Sequence, residues 1–185
     1  MSFQSNLLSG RTALITGGGT GICRGIALAL AAHGCDVAIT SRSADHLEPT
    51  ADEIRARGRR AVAVPADVRD PAAVEAAVTR TVEELGGLDI LVNGAAGNFL
   101  CLAEQLSPNG FGAVVDIDLK GTFHCSKAAL PHLKKNGGVV LNISATLHYL
   151  GTPAQLHVAS AKAGVDALTR VLAVEWGPYG IRVNG

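Results

Sequence analysis

The sequence predicts an α/β fold in which one mostly parallel sheet carries helices on both of its faces. Segments typical of strands and segments typical of helices alternate along all 185 residues. Aliphatic residues are abundant and 22 residues are glycine, whereas aromatic residues make up only 4% of the chain. This composition is typical of a parallel sheet covered by alanine-rich helices. A chain of this length predicts a single domain that spans residues 1–185.

Six short apolar runs predict the strands. Repeated strand–helix–strand units connect with a right-handed crossover, so we expect a doubly wound, three-layer α/β/α arrangement. Ligands of such sheets bind at the carboxyl ends of the strands, where the strand order reverses. The predicted strands are Thr12–Thr16, Asp36–Thr40, Arg60–Val64, Asp89–Asn93, Val139–Ile143 and Ile181–Asn184.

Five longer segments between these strands predict helices. Two of them begin at Asp70-Pro71 and Ser107-Pro108, pairs in which the first residue caps the helix and proline takes the first helical position. Glycines follow the predicted helix ends. The predicted helices are Gly21–His33, Ala44–Arg57, Pro71–Leu85, Pro108–Lys135 and Leu156–Trp176.

A glycine-rich turn with the sequence TGGGTGIC, residues 16–23, joins the first strand to the first helix. Backbone N–H groups and the positive end of the helix dipole suit a pyrophosphate there, and glycine leaves room for its approach. A plain loop is the alternative, but the strand before the turn and the helix after it favour a dinucleotide site. The residues expected to bind the cofactor are Gly17, Gly19, Thr20, Gly21 and Ile22.

The residues after the second strand, Ser41 and Arg42, favour NADPH over NADH. NAD-binding folds commonly place an acid here to hold the ribose 2′-hydroxyl. An acid would repel a 2′-phosphate, whereas a guanidinium pairs with it through two hydrogen bonds. The alternative is that Arg42 is a solvated loop charge.

Charge and composition exclude several other classes of protein. The formal net charge is zero and the charges are scattered, which argues against nucleic acid or an acidic membrane as a partner. The 4 cysteines have no paired spacing and the 6 histidines no ligand spacing, so we expect a reducing compartment and no metal site. No signal peptide or membrane span is recognisable, so we expect a soluble, intracellular protein.

Five motifs, in this order along the chain, together resemble the short-chain dehydrogenase/reductase family. Within that family, residues 95–101, 116–118 and 172–178 are similar to the peroxisomal type of 2,4-dienoyl-CoA reductase. The resemblance implies a Rossmann-type domain, NADPH, an acyl-CoA substrate and a homo-oligomer, either a dimer or a tetramer. It implies the peroxisomal matrix in a eukaryote and the cytoplasm in a bacterium. The motifs are TGGGTGIC at 16–23, ADV at 66–68, NGAAG at 93–97, SAK at 160–162 and IRVN at 181–184.

The chain departs from the usual family pattern at several positions. The family's catalytic Tyr is replaced by Val158, with His157 beside it as a minor candidate acid, and its Ser falls at or next to Ala145. Its Asn is replaced by Asp118, and Cys23 stands where the last turn glycine is expected. The peroxisomal dienoyl-CoA reductases share the missing Tyr, Ser and Asn. A carbonyl reductase without its phenol would lose protonation worth roughly 10²–10⁴-fold in rate.

Reduction of a conjugated thioester requires active-site groups other than the phenol that a carbonyl reductase uses. Hydride goes to C5, negative charge gathers on the thioester oxygen, and C2 is protonated afterwards. The resemblance implies two catalytic residues. Lys162 would hold the nicotinamide ribose and add positive field, and Asp118 would pair with it and hold a water that relays the proton. Alternatively, Asp118 only neutralises Lys162.

The resemblance also implies further binding residues. Asp67 would accept from the adenine amino group, unless it only caps the following helix, and Val68, Asn93 and Ala95 would complete the cofactor site with Lys162. The acyl-CoA would meet Arg42 and Arg69 at its phosphates, unless Arg69 is a free surface charge, and Phe99 at its acyl chain, unless Phe99 is simply core. The resemblance places Ser107, Pro108 and Asn109 along the mouth of the acyl site.

Family members usually continue beyond the sixth strand with a helix pair over the substrate and a last strand. The sequence ends at Gly185, so we expect a domain truncated after that strand, with the substrate-covering region and last strand absent. Two other functions are alternatives to reduction of a 2,4-dienoyl-CoA to a 3-enoyl-CoA in unsaturated fatty-acid degradation. One is a short-chain oxidoreductase for another carbonyl or enoyl substrate. The other is a non-catalytic nucleotide-binding or dimerising fragment.

Overall fold

Six parallel strands form one sheet in the computed structural model of the protein, which describes residues 4–185. The strand order is β3-β2-β1-β4-β5-β6, so the order reverses between β1 and β4. This is the Rossmann-type order, and the doubly wound prediction is confirmed. The strands are β1 (Thr12–Thr16), β2 (Asp36–Ser41), β3 (Ala61–Pro65), β4 (Ile90–Asn93), β5 (Gly138–Asn142) and β6 (Ile181–Asn184).

Seven α-helices lie between or beside these strands in the described part of the chain. Asp70 caps α3 through a hydrogen bond from the N–H of Ala72 (2.9 Å), and Ser107 caps α4 through one from Gly110 (3.0 Å). Within residues 4–185, no helix is both long and apolar enough to cross a lipid bilayer. The helices are α1 (Gly21–Ala32), α2 (Glu48–Arg55), α3 (Pro71–Leu85), α4 (Pro108–Val115), α5 (Gly121–Leu133), α6 (Leu147–Leu150) and α7 (Leu156–Trp176).

Three helical details differ from the predictions. The predicted helix Pro108–Lys135 is α4 and α5 joined by a π-helical turn, Asp116–Lys120. The spacing of apolar residues did not predict this turn, because a single widened turn hardly changes the helical period. The predicted helix Ala44–Arg57 begins as a 3₁₀ turn, Ala44–His46, before α2. The short helix α6 was not predicted, since four residues cannot show a helical period.

Both faces of the sheet are buried. Along β1, Ala13 and Ile15 face the core beneath α1 and α2, whereas Leu14 faces the core beneath α3 and α5. Alternate residues of a strand point to opposite faces, so an uninterrupted apolar strand fills both cores. The two cores hold the carboxyl ends of the strands in place at one edge of the sheet.

At the opposite edge, Asp36 ties the start of β2 to the segment before β3. Its carboxylate accepts hydrogen bonds from Arg59 Nη2 (2.5 Å), Arg60 Nε (2.8 Å) and the Arg60 N–H (3.1 Å). Burial raises the pKa of Asp36, but the hydrogen bonds from Arg60 and Arg59 outweigh it and leave the pKa below its usual value. The carboxylate is therefore part of the folded structure in its ionised form.

We expect Asp36→Asn to lower the free energy of unfolding by about 2 kcal/mol at neutral pH, because hydrogen bonds to a buried charge are lost. The folded pKa is depressed, so this stability is present above the unfolded pKa of about 3.9 and is lost as the pH falls through the folded value. Urea unfolding of both proteins between neutral and acidic pH checks this. A stability difference that stays constant into the acid range would contradict it.

Candidate cofactor and active site

A cavity of about 840 Å³ lies at the carboxyl ends of β1 to β4, where the strand order reverses. Such a position is the usual ligand site of an open α/β sheet. Most of the predicted cofactor residues line this cavity, namely Gly17, Thr20, Gly21, Ile22, Ser41, Arg42, Asp67, Val68 and Ala95.

The glycine turn fits closely between its neighbours. Gly17 has a φ of +71°, and a Cβ there would come within 2.9 Å of the carbonyl oxygen of Gly94. Gly19 does not line the cavity itself; it lies against the backbone of His46, which does, and leaves no room for a Cβ. The turn therefore keeps its backbone bare at the cavity, as a bound pyrophosphate requires.

Cys23 occupies the place of the expected last glycine without filling the cavity. Its side chain is buried against Gly94, where a Cβ would overlap the Cys23 sulfur. Burial raises the pKa of the Cys23 thiol, although the charge of Lys162 acts in the opposite direction. The neutral thiol of Cys23 thus occupies the space that the absence of a side chain at Gly94 leaves free, at the point where the strand order reverses.

Arg42 lies at the end of β2 with Ser41, Ser43 and His46 in the cavity wall. Among the described residues its guanidinium forms no ion pair, although its charge acts on Asp67 across the cavity. Ser41 donates its hydroxyl to the carbonyl of Ser43 (3.1 Å), which shapes this loop. The loop presents a positive charge and hydroxyl groups to the cavity.

Asp67, at the end of β3, is engaged by Arg69. Its carboxylate accepts from Arg69 Nη2 (2.5 Å) and from the Arg69 N–H (3.0 Å). The hydrogen bond from the Arg69 side chain outweighs burial and lowers the pKa of Asp67. Asp70, not Asp67, caps α3. Arg69 is therefore paired in this structure, not a free surface charge.

Lys162 and Asp118 meet in the interior next to the cavity. Asp118, in the π-helical turn, is 0% exposed, and its Oδ2 lies 3.1 Å from Lys162 Nζ without the alignment of a hydrogen bond. Asp118 Oδ1 accepts from the N–H of Gly97 (2.8 Å), and Lys162 Nζ donates to the carbonyl of Ile143 (2.8 Å). The pairing suggested by the sequence is present, and both side chains are held by backbone groups.

The position of the missing phenol is apolar. Val158 packs with Val114 and Ala161 between α4 and α7. His157, beside it, is 0% exposed and contacts Phe99 with the two rings tilted by 52° and their centroids 4.4 Å apart. Neither ring nitrogen of His157 has a hydrogen-bond partner among the described residues. No hydroxyl takes the place of the family's Tyr at this point.

The predicted acyl-CoA residues lie on the loop after β4 and at the start of α4. Phe99 is half-exposed, which excludes a simple core role, and its loop is tied to the start of α7 by Asn98 Nδ2 donating to Gln155 Oε1 (2.8 Å). The hydroxyl of Ser107 accepts from Gly110 and so serves α4 itself. Three of the predicted residues, Ser107, Pro108 and Asn109, are exposed.

Asn93 lies below the cavity and does not line it. Its amide nitrogen donates to Asn142 Oδ1 (2.8 Å) and Ser126 Oγ (3.0 Å), and the side chain is buried. The amide thus links β4 to β5 and α5 beneath the cavity.

Sequence reasoning missed a polar cluster on the outer side of Lys162. It comprises Ser144, His148, Tyr149 and Asp166, and its centre is the Asp166 carboxylate. The signal was available: Asp166 follows Lys162 by four residues, a spacing that puts both on one helix face. The partners of Asp166 could not be read from the sequence, because the fold of residues 144–150 brings them over α7.

The parallel sheet with a bare glycine turn at its switch point is the arrangement of Rossmann-type dinucleotide-binding folds. A model of the short chain dehydrogenase family matches residues 11–185, and the protein belongs to that family.

Known relatives agree with the family. The (3E)-enoyl-CoA-producing peroxisomal 2,4-dienoyl-CoA reductase of Danio rerio is 49% identical over 184 residues, which are 98% of this chain and 61% of that protein. The Saccharomyces cerevisiae enzyme of the same description is 49% identical over 187 residues, 99% of this chain and 64% of that protein. The chain thus spans less than two thirds of the length of these curated relatives. Carveol dehydrogenase from Mycobacterium avium, solved in complex with NAD, superposes with a TM-score of 0.92 at 34% identity, covering 97% of this chain and 70% of that one.

We expect Gly94→Ala to lower the free energy of unfolding by about 1–3 kcal/mol and to weaken dinucleotide binding, because the new methyl group overlaps the Cys23 sulfur. Cys23→Gly in the same chain should restore part of the loss. The restoration stays partial because the Thr16 carbonyl oxygen lies only 3.2 Å from the added Cβ. Thermal unfolding and cofactor titration measure both effects.

Gly87→Ala is the matched control, since an added Cβ there meets nothing within 4 Å. Equal losses in Gly94→Ala and Gly87→Ala, or no gain from Cys23→Gly, would contradict the volume match.

Proposed function

We propose that the protein is an NADPH-dependent 2,4-dienoyl-CoA reductase that yields a 3-enoyl-CoA in unsaturated fatty-acid degradation. The observation that carries this proposal is the buried pair of Lys162 and Asp118 beside a cavity rim that lacks the family's Tyr and Ser hydroxyls. A carbonyl reductase needs that phenol as its general acid. The two relatives named as 2,4-dienoyl-CoA reductases support the same activity.

The cofactor site fits a dinucleotide, since Gly21 lines the cavity and has nothing within 4 Å of the place where a Cβ would lie, so the turn leaves its backbone open there. Gly17, Gly19, Thr20, Gly21 and Ile22 would hold the pyrophosphate.

Residues from the neighbouring strands would complete the cofactor site. Ser41 and Arg42 would hold the 2′-phosphate, Asp67 and Val68 the adenine, and Ala95 and Lys162 the nicotinamide ribose. Asn93 would support this wall from below through Asn142. When bound, the cofactor supplies the hydride.

The protein's own residues then stabilise the negative charge on the thioester oxygen and supply the proton for C2. The ammonium of Lys162 contributes a positive field where the thioester oxygen becomes negative, in a place partly withdrawn from water. Asp118 holds Lys162 in position and keeps its charge compensated, since an unpaired buried ammonium would be costly. A water molecule held by a carboxylate next to Lys162 delivers the proton to C2. Asp118 or Asp166, which flank Lys162, would hold that water.

The acyl-CoA would lie along the outer rim of the cavity. Arg42 and Arg69 would face its phosphates, the exposed ring of Phe99 its acyl chain, and residues 107–109 its path. We further propose a homo-oligomer, which would be located in the peroxisomal matrix in a eukaryote or the cytoplasm in a bacterium. The peroxisomal names of the relatives support the first location.

Substrate choice tests the proposal directly. We expect oxidation of NADPH, followed by its absorbance, with a 2,4-dienoyl-CoA and not with ketones or aldehydes, and a 3-enoyl-CoA as the product by mass spectrometry and NMR. Turnover of ketones would identify an oxidoreductase for other substrates. NADPH binding without turnover of any of these substrates would identify a nucleotide-binding protein.

We expect Arg42→Asp to weaken NADPH binding about ten- to hundredfold, because charge-assisted hydrogen bonds to the 2′-phosphate contribute about 1.5–3 kcal/mol. NADH binding should stay the same or improve, since it carries no phosphate to repel. Fluorescence titration of both cofactors gives the ratio. Arg80→Asp, an exposed arginine of α3 outside the cavity lining, is the control, and an unaltered ratio in Arg42→Asp would refute the assignment.

A further inference from the structure

The polar cluster around Asp166 has no role in the binding of cofactor or acyl-CoA described above. Asp166 Oδ1 accepts from the hydroxyl of Ser144 (2.5 Å). Asp166 Oδ2 accepts from the phenol of Tyr149 (2.9 Å) and lies 3.0 Å from Nε2 of His148. The rings of His148 and Tyr149 also touch, with centroids 4.0 Å apart. These contacts hold α6 against α7.

The cluster adjoins the buried ion pair of the active site. Asp166 lies one helical turn beyond Lys162 on α7. The segment after β5 joins the two, since the carbonyl of Ile143 accepts from Lys162 and the next residue, Ser144, donates to Asp166. Asp118 lies on the interior side of Lys162, and Asp166 on the side nearer the solvent, with 15% of its side chain exposed. Asp166 is thus the more exposed of the two carboxylates.

Two members of the cluster keep a fixed charge at neutral pH. Burial raises the pKa of Asp166, but the hydrogen bonds from Ser144 and Tyr149 and the charges of His148 and Arg170 outweigh burial. The net pKa lies below its usual value, so the carboxylate stays ionised. The hydrogen bond to Asp166 raises the pKa of Tyr149, so the phenol keeps its proton. Neither group therefore changes its protonation state at rest near neutral pH.

His148 is the member of the cluster whose side-chain type exchanges a proton with water between about pH 5 and pH 8. Its Nε2 faces the Asp166 carboxylate, and its Nδ1 is buried with no hydrogen-bond partner among residues 4–185. The charged or titratable groups in contact with it are Asp166 on α7 and Tyr149 on its own helix, and the charge of Arg170 acts on both of them. An imidazole pinned to a carboxylate, with its second nitrogen free, is suited to hold and release a proton.

We propose that His148, acting through Asp166, stores the proton that is delivered to C2 of the substrate. This inference rests on the proposed reductase function. Hydride addition forms the C5–H bond, the C4=C5 pair moves to C3=C4, the C2=C3 pair moves to C1=C2, and the carbonyl pair moves onto the thioester oxygen; protonation at C2 then uses the C1=C2 pair and restores the carbonyl. The C2–H bond then forms with a proton from a water held by Asp166. The hydroxide left behind takes a proton that passes from the His148 imidazolium through the Asp166 carboxylate, the imidazole regains a proton from solvent, and Asp166 is a carboxylate before and after each cycle.

His148→Gln tests the proposal in the intact enzyme, because the amide can still donate to Asp166 but cannot carry a proton. In the wild type, turnover of the 2,4-dienoyl-CoA should fall as the pH is raised, because the stored proton is carried by an imidazolium. In His148→Gln we expect turnover about a hundredfold lower at the acidic end of the profile, where the wild type is most active, and no dependence on pH. Added imidazole should restore turnover in His148→Ala in proportion to its protonated fraction.

Two control variants separate proton storage from positioning. Tyr149→Phe removes a hydrogen bond from the same Asp166 oxygen and should keep the wild-type pH dependence, whatever its rate. His33→Gln, at the end of α1, should leave both rate and profile unchanged. NADPH affinity of His148→Gln should match the wild type, since His148 does not line the cofactor cavity, and its thermal stability should stay close to the wild type, because the amide can still donate to Asp166 and hold α6 against α7.

The outcomes distinguish this inference from the proposed function. A wild-type pH profile in His148→Gln, or a loss of rate with no rescue by imidazole, would overturn the storage role while leaving the reductase intact. A loss of NADPH binding or stability in His148→Gln would overturn it in favour of a structural role. A wild type that binds NADPH but does not turn over a dienoyl-CoA would overturn the proposed function, and this inference with it.

Discussion

The close contact between the ends of β1 and β4 is the constraint on which the rest of the site depends. The hydroxyl of Thr16 accepts from the N–H groups of Gly94 (2.9 Å) and Ala95 (3.0 Å), and the backbone of Gly17 lies against Gly94. Because the strand order reverses here, the two loops leave the sheet on opposite sides and the cavity opens between them. Cys23 completes the contact by filling the volume that Gly94 leaves free.

A second constraint comes from the burial of a charged pair. Replacing a buried ion pair by apolar residues is often neutral or stabilising, so the pair of Lys162 and Asp118 is poorly explained by stability alone. Its position beside the cavity and its anchoring to Gly97 and Ile143 give it a fixed geometry. The π-helical turn that carries Asp118 is of a kind often found at functional sites. Together these features fit a role in the chemistry.

The two carboxylates on either side of Lys162 have different surroundings. Asp118 is held by a backbone N–H and faces the interior, whereas Asp166 is surrounded by side-chain donors and reaches the surface. Asp118 is thus the fully buried carboxylate of the two, and Asp166 the one with part of its side chain exposed.

The sequence by itself determined the six parallel strands, the glycine turn, the capped starts of α3 and α4, and the candidate Arg42, whereas Lys162 and Asp118 were candidates only through the family resemblance. Those features depend on local patterns: apolar runs, the conformational freedom of glycine, and caps within three residues. Only the tertiary structure decided that Asn93 lies below the cavity, that Asp67 pairs with Arg69, and that α6 covers Asp166. These outcomes depend on which side chains the fold brings together, from two to nearly fifty residues apart along the chain. They also depend on the direction in which each side chain points, which the spacing of residues in the sequence does not determine.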